Sequence, residues 1–185
     1  RALWSTPVPF GTAVGTVRPA LAGALGLPQG VKVVIAAHDQ VAAAIGSGVL
    51  TAGQAVDGAG TVQCVTPVLK ARPPWKEMME NGYAVVPFPG GQYATYAFSF
   101  TGGALLKWYR QQIARPGMDY DSLNVLVPEV PSGLLALPHF AGAATPYMNP
   151  KARGAIVGLT LGTTAAELYR ALMEGVAYEM RLNLE

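Results

Sequence analysis

The strongest constraint on this chain is an acid placed where an apolar run stops. Residues 31–37, Val-Lys-Val-Val-Ile-Ala-Ala, form a short β-branched stretch, and His38, Asp39 and Gln40 follow before alanines resume. Its length and β-branched content predict a strand buried on both faces. A helix of about two turns is expected from Gln40 to Ile45, ended by Gly46 or Gly48. In open α/β sheets the ends of strands are where ligands bind. Asp39 then has two readings. It can cap the following helix, since Asp is favoured at that position, or it can take a proton from a substrate hydroxyl within hydrogen-bond reach. His38 is expected to be oriented by backbone contacts. As neighbours in a strand, His38 and Asp39 point to opposite faces and make no triad by themselves.

Further along, the patterning mixes short strands and helices. Residues 54–69 read as strand, glycine turn and strand, a tight hairpin. Beyond the proline-rich Ala71-Arg72-Pro73-Pro74-Trp75, two more strands are predicted over 83–89 and 92–100, joined across Gly90-Gly91. Residues 101–113 predict a helix capped by Thr101, with Leu105, Trp108, Tyr109 and Ile113 on one face. Residues 116–133 read as irregular, 133–140 as a short apolar run, and 141–154 as a loop. The clearest helix comes last: Thr164 and Glu167 have capping-box spacing, and Leu168, Leu172, Val176 and Met180 recur at steps of four. The character changes near Gly48, which marks a domain boundary. Both ends read as cut, because Arg1 is not a methionine and Glu185 falls in mid-helix.

Composition narrows the function classes. The 13 basic and 11 acidic residues leave a formal charge of +2, and the basic ones are scattered, so no concentrated basic face for nucleic acid is visible. No segment reaches the ~18 uninterrupted apolar residues of a membrane span. One cysteine, Cys64, and two distant histidines exclude an internal disulfide and make no zinc site. A soluble protein of a reducing compartment, the cytoplasm, is expected.

Two glycine motifs join Asp39 as candidate chemistry. In Asp57-Gly58-Ala59-Gly60-Thr61-Val62 a glycine hairpin exposes successive N–H groups that can form an anion nest. In Thr101-Gly102-Gly103-Ala104 two glycines open a helix, where a phosphate can approach free N–H groups and the positive end of the dipole. Each also has a plain reading, as a turn or as close packing. Taken together, a base and two anion sites suit phosphoryl transfer.

These blocks, in this order, resemble the FGGY family of carbohydrate kinases. The stretch from Phe10 to Gly48 is similar to the end of the family's first domain, which closes on the catalytic aspartate. Gly58 to Val62 resembles its phosphate-contacting hairpin, and Phe100 to Arg110 its glycine-led helix. Leu137 to Arg181 is similar to the family's longest signature, with its Thr-Pro loop, Arg-Gly turn and Glu-Gly helix. The resemblance implies an α/β, actin-like ATPase (ribonuclease H-like) fold, here a fragment: residues 1–48 end domain one and 49–185 begin domain two. It implies an enzyme that phosphorylates a sugar or polyol, a ketopentose such as xylulose being the first choice, with ATP and Mg2+. The alternative is an actin-fold protein that binds a sugar or partner without catalysis. By carry-over Asp39 is the base and, with Gln40, contacts the substrate. Gly60 and Thr61 would meet the transferred phosphate, and Gly102 and Gly103 the nucleotide phosphates. No metal ligand is assigned. Three departures stand out: Val62 where serine is usual, Gly142-Ala143-Ala144 before Thr145-Pro146, and His38 before the aspartate. Faces left open by the missing halves are expected to favour self-association.

Overall fold

The computed structural model describes residues 5–185, which fall into two compact units divided between Gly48 and Val49. In the first, β1 (Ala13–Thr16) and β2 (Lys32–Val34) form an antiparallel pair with a register shift between Ala13 and Gly15. The helix α1 (Pro19–Ala24) lies between them and starts on proline, whose fixed φ suits a first helical turn. The second helix, α2 (Asp39–Gly46), follows β2. The 31–37 run is not buried on both faces as its composition predicted: Val33 is 43% and Val34 50% exposed. Among the described residues its only strand partner is β1, and a two-stranded ribbon has no second layer of its own to cover it.

The second unit is organised around one strand. Its elements β3 (Ala55–Ala59) and β4 (Gln63–Leu69) form the predicted hairpin, in register from Ala55–Pro67 to Ala59–Gln63. The other edge of β4 takes β6 (Gln92–Thr95) and β7 (Ala97–Ser99), and β5 (Val85–Phe88) pairs outside β6. The 92–100 run is therefore two strands, not one. The reason lies in Pro67. Val68 directs its N–H and C=O to Gln54 and Gly53 on the β3 side, so Pro67 turns towards the β6 side. Having no N–H, it has nothing to donate there, and the ladder opens between β6 and β7 without changing register. The β5–β6 turn uses Gly90 and Gly91, with φ of 76° and 75°, values that L side chains rarely adopt.

A helical layer completes this unit. It contains α3 (Trp75–Glu80), α4 (Gly103–Gln112), α5 (Tyr120–Val125) and α6 (Ala165–Leu184), with a small ribbon of β8 (Leu135–Leu137) and β9 (Ala155–Val157). Leu105 and Tyr109 of α4, Leu123 of α5, and Tyr169 and Leu172 of α6 form the core. The rings of Tyr109 and Tyr169 lie 4.9 Å apart, and the Tyr109 hydroxyl donates to the Ala165 carbonyl at 2.6 Å. The capping box holds in both directions: the Thr164 hydroxyl accepts from Glu167 N–H, and the Glu167 carboxylate accepts from Thr164 N–H. The Glu-Gly pair of α6 has a packing role on each residue. Glu174 accepts from Ser132 N–H at 3.1 Å and from Arg170 at 2.7 Å, and Arg170 donates to the Pro128 carbonyl. At Gly175 the helix lies on β8 so closely that a Cβ would strike the Ala136 carbonyl.

In this second unit three elements fall where strands or helices were not expected. One is α3, in the proline-rich connection. Another is α5, in the irregular 116–133 stretch, where Asp119 caps the helix by accepting from Ser122 N–H at 2.9 Å. The third is β9, within a glycine-bounded stretch. Each is three to six residues long, too short for a hydrophobic period to show.

One polar cluster is buried in this unit. Glu179 of α6 accepts from the Ser99 hydroxyl at 3.1 Å through Oε2, and its Oε1 faces His139 Nε2 at 3.3 Å without an aligned hydrogen bond. Burial pushes the Glu179 carboxyl above its ordinary range; the pull of His139 and the Ser99 hydrogen bond oppose that rise without cancelling it.

Two outcomes are expected. Gly175→Ala should lower stability in denaturant by about 1–3 kcal/mol through overpacking, outweighing the ~1 kcal/mol helix preference for alanine; equal or greater stability would mean the α6–β8 approach is looser than described. For Glu179 the folded state holds its proton more tightly than the unfolded chain. Its contribution is therefore greatest below the unfolded value and falls as pH rises through the folded one. Glu179→Gln removes that loss. Melting curves should coincide at about pH 4 and separate towards neutrality, with the glutamine variant melting higher.

Candidate functional site

The two glycine motifs of the second unit meet. The N–H of Gly102 donates to the Thr61 carbonyl at 3.1 Å, Gly103 N–H to the Gly60 carbonyl at 2.8 Å, and Ala104 N–H to the Thr61 carbonyl at 3.0 Å. The hairpin turn between β3 and β4 is thus fastened to the start of α4. Both glycines are needed for this approach: a Cβ on Gly102 would lie 3.1 Å, and one on Gly103 2.9 Å, from the Gly60 carbonyl oxygen. The N–H groups that a helix start usually offers to an anion are here given to the turn. Thr101 is not the cap of α4. Gly102 occupies that position, and the Thr101 hydroxyl instead donates to the Pro138 carbonyl.

The lock leaves an open cavity of about 460 Å³ on one side. Thr61, Gly103 and Lys107 line it, together with Trp108, Gln111 and Tyr120. Thr61, Gly103 and Lys107 are exposed, so a hydroxyl and a cation stand ready beside the turn. Tyr120 lies under the Arg110 guanidinium, 4.5 Å from the ring centre. Lys107 was missed in reading the sequence. The signal was present: Gly103 and Lys107 are four apart on a helix and share a face. A second cavity of about 300 Å³ adjoins Gly60 and Gly102, with Leu106, Met173 and Val176. Across the hairpin, Gln63 donates to the Asp57 carboxylate at 2.7 Å.

Asp39 and Gln40 belong to the first unit. Asp39 is the first residue of α2, and its carboxylate and the His38 ring both accept from Gln40 N–H, at 2.7 and 3.3 Å. His38 Nδ1 and Asp39 Oδ1 are 2.8 Å apart. The two side chains therefore lie together and not on opposite faces, because the chain has left the strand before reaching them. The Asp39 side chain is 83% exposed. The cap of α2 is His38 and not Asp39, which is the first helical residue; its carboxylate has a second oxygen and faces solvent.

The Thr-Pro loop is structural. The Thr145 hydroxyl accepts from Phe98 N–H at 2.8 Å and donates to the Phe98 carbonyl at 3.0 Å, so a buried side chain completes the edge of β7. Such a role needs no charge, which accommodates Gly142-Ala143-Ala144 in this chain. At Gly154, in the Arg-Gly turn, a Cβ would enter the ring of Phe140. Among the described residues no group of three or more His, Cys, Asp or Glu side chains gathers to hold a metal.

Residues 59–185 match the family model described as the C-terminal domain of the FGGY family of carbohydrate kinases. A glycerol kinase of an Acidovorax species is 34% identical over 185 residues, covering 97% of this chain and 35% of that protein. Among solved structures, the xylulose kinase from Rhodospirillum rubrum superposes with a TM-score of 0.80 at 27% identity, over 96% of this chain and 36% of that one. The Plasmodium falciparum glycerol kinase with ADP, at 21% identity and a TM-score of 0.73, shares the fold, covering 92% of this chain and 34% of its own. The chain spans about a third of the length of the relatives it matches. With the glycine lock and the Glu-Gly helix in place, and the actin-like ATPase fold shared with these sugar kinases, the chain belongs to the FGGY family of carbohydrate kinases.

Proposed function

We propose that the whole protein transfers the terminal phosphoryl group of ATP to a hydroxyl of a sugar or polyol. The observation that carries this reading is the Gly60–Thr61 turn fastened to the start of α4 beside a cavity bearing Lys107. Phosphoryl transfer needs little covalent chemistry from a protein; it needs positioned donors around the transferred group and a base for the acceptor. Thr61, through its hydroxyl, and Lys107, through its charge, would hold phosphate oxygens at this cavity, while Gly60, Gly102 and Gly103 let the backbone come close. Lysine serves as a point charge towards phosphate, without the fixed fork of arginine.

Asp39 would accept the proton of the acceptor hydroxyl. Its exposure and second carboxylate oxygen support that role, and the turn at the start of α2 fixes where the carboxylate begins. Gln40, half-buried beside it, would hydrogen-bond a neighbouring hydroxyl. Mg2+ supplies charge neutralisation to the phosphates and draws most of its ligands from phosphate and water oxygens, with one or two carboxylates. No residue of this chain is assigned to it. The acceptor is a small polyhydroxy compound, and xylulose and glycerol head the panel because similar proteins carry those names.

The reading is tested by two substitutions in the whole protein, assayed by ADP release over a panel of sugars and polyols. Asp39→Asn should lower turnover by about 10²–10⁴ and keep acceptor affinity within about tenfold, as expected for loss of a general base. Retention of more than about a tenth of turnover, with chemistry rate-limiting, would remove Asp39 from that role. Thr61→Val keeps a side chain suited to a hairpin and removes the hydroxyl. It should lower turnover with little change in acceptor binding; equal loss in both would assign Thr61 to the acceptor site or the fold.

A further inference from the structure

The glycine lock rests on a buried polar chain that starts on a different element. Thr101 immediately precedes the two glycines. Its N–H donates to the Ser99 hydroxyl oxygen at 3.3 Å, and the Ser99 hydroxyl donates to Glu179 of α6 at 3.1 Å. Thr101 also donates its hydroxyl to the Pro138 carbonyl, next to His139, which faces the other oxygen of Glu179. Ser99, Thr101, His139 and Glu179 are all buried. From α6 to Gly60, the path is continuous in hydrogen bonds and two chain steps: Glu179, Ser99, Thr101, then Gly102 and Gly103 to the Thr61 and Gly60 carbonyls.

Glu179 is costly where it stands. A buried carboxylate is unfavourable unless well paired, and one of its oxygens has no aligned hydrogen bond. Packing alone would be better served at this position by an apolar side chain, since α6 already buries Leu172 and Met180. What an apolar residue cannot do is anchor the Ser99 hydroxyl. Without that anchor, the Ser99 hydroxyl keeps only its long 3.5 Å contact with the Thr101 hydroxyl, and the acceptor of Thr101 N–H, with the turn before Gly102, loses its restraint on that side.

We propose that Glu179 is a positioning residue for the phosphate site: through Ser99 and Thr101 it holds the Gly102–Gly103 turn in the orientation that fastens Gly60 and Thr61. This rests on the kinase reading of that site. Misplacement by about 1 Å of a group that orients reactants costs up to a hundredfold in rate, so a remote carboxylate can matter without touching substrate.

The experiment compares Glu179→Ala, Glu179→Gln and a control, Leu172→Ala, which loosens the packing of α6 on α4 but leaves the Glu179–Ser99–Thr101 hydrogen bonds in place. Two readouts are taken well below each melting temperature. In the first, hydrogen exchange in the purified chain is followed at Gly102–Ala104. Glu179→Ala should speed exchange there about tenfold beyond the control, and Glu179→Gln, whose amide oxygen still accepts from Ser99, should restore protection. In the second, the kinetics of the whole protein, Glu179→Ala should lower kcat/KM for ATP by about tenfold or more, leave the acceptor KM within about twofold, and be rescued by glutamine. Exchange and kinetics no different from the control would overturn the proposal, as would failure of glutamine to rescue. If wild-type protein transfers phosphate to no sugar or polyol, the kinase reading falls, and the exchange result alone decides whether Glu179 holds the turn.

Discussion

The second unit depends on three hydrogen bonds between backbone groups. The amides at residues 102–104 donate to the carbonyls of Gly60 and Thr61, which ties the tip of a β-hairpin to the start of a helix. The bond lengths demand that no side chain stand between them, and glycine at 102 and 103 meets that demand. Once the tie is made, β4 and α4 have one relative placement. The cavity with Thr61 and Lys107 lies beside it, and α4 is set against α6 through Leu105, Tyr109, Tyr169 and Leu172.

The lock also changes how the glycine motifs act. Helix starts bind anions because their first N–H groups lack partners. At α4 those groups have partners in the turn, so positive potential at the cavity comes from Lys107 and the aligned helix dipole, and hydrogen bonding from the Thr61 hydroxyl. A turn held by backbone bonds is fixed before any ligand arrives, which is the condition for electrostatic stabilisation without reorganisation.

Elsewhere, residues that look chemical are structural, and the reverse also holds. Thr145 serves the edge of β7, Glu174 fastens the 128–132 loop, and Gly175 lets α6 lie on β8. The Thr-Pro, Arg-Gly and Glu-Gly signatures are thus packing devices in which one atom too many would open the unit. Glu179 would be taken for a surface residue by its charge alone, but it stands seven positions after Leu172 and four after Gly175, on the buried face of α6, against Ser99 and His139.

Legibility followed the range of the interactions. The sequence alone determined the α6 capping box, the β3–β4 hairpin, the position of α2 to within a residue, and the residue types of the glycine motifs and of Asp39. Each of these depends on residues a few positions apart, where periodicity, turn chemistry and capping operate. Only the tertiary structure decided the rest. The split of the 92–100 run follows from Pro67 across the sheet. The diversion of Thr101 follows from a carbonyl 37 residues away, and the Ser99–Glu179 pair spans 80 residues. The exposure of the 31–37 run reflects which layers the chain itself supplies to cover it. A residue's composition states what it can bond to, but only the fold states what is there to be bonded.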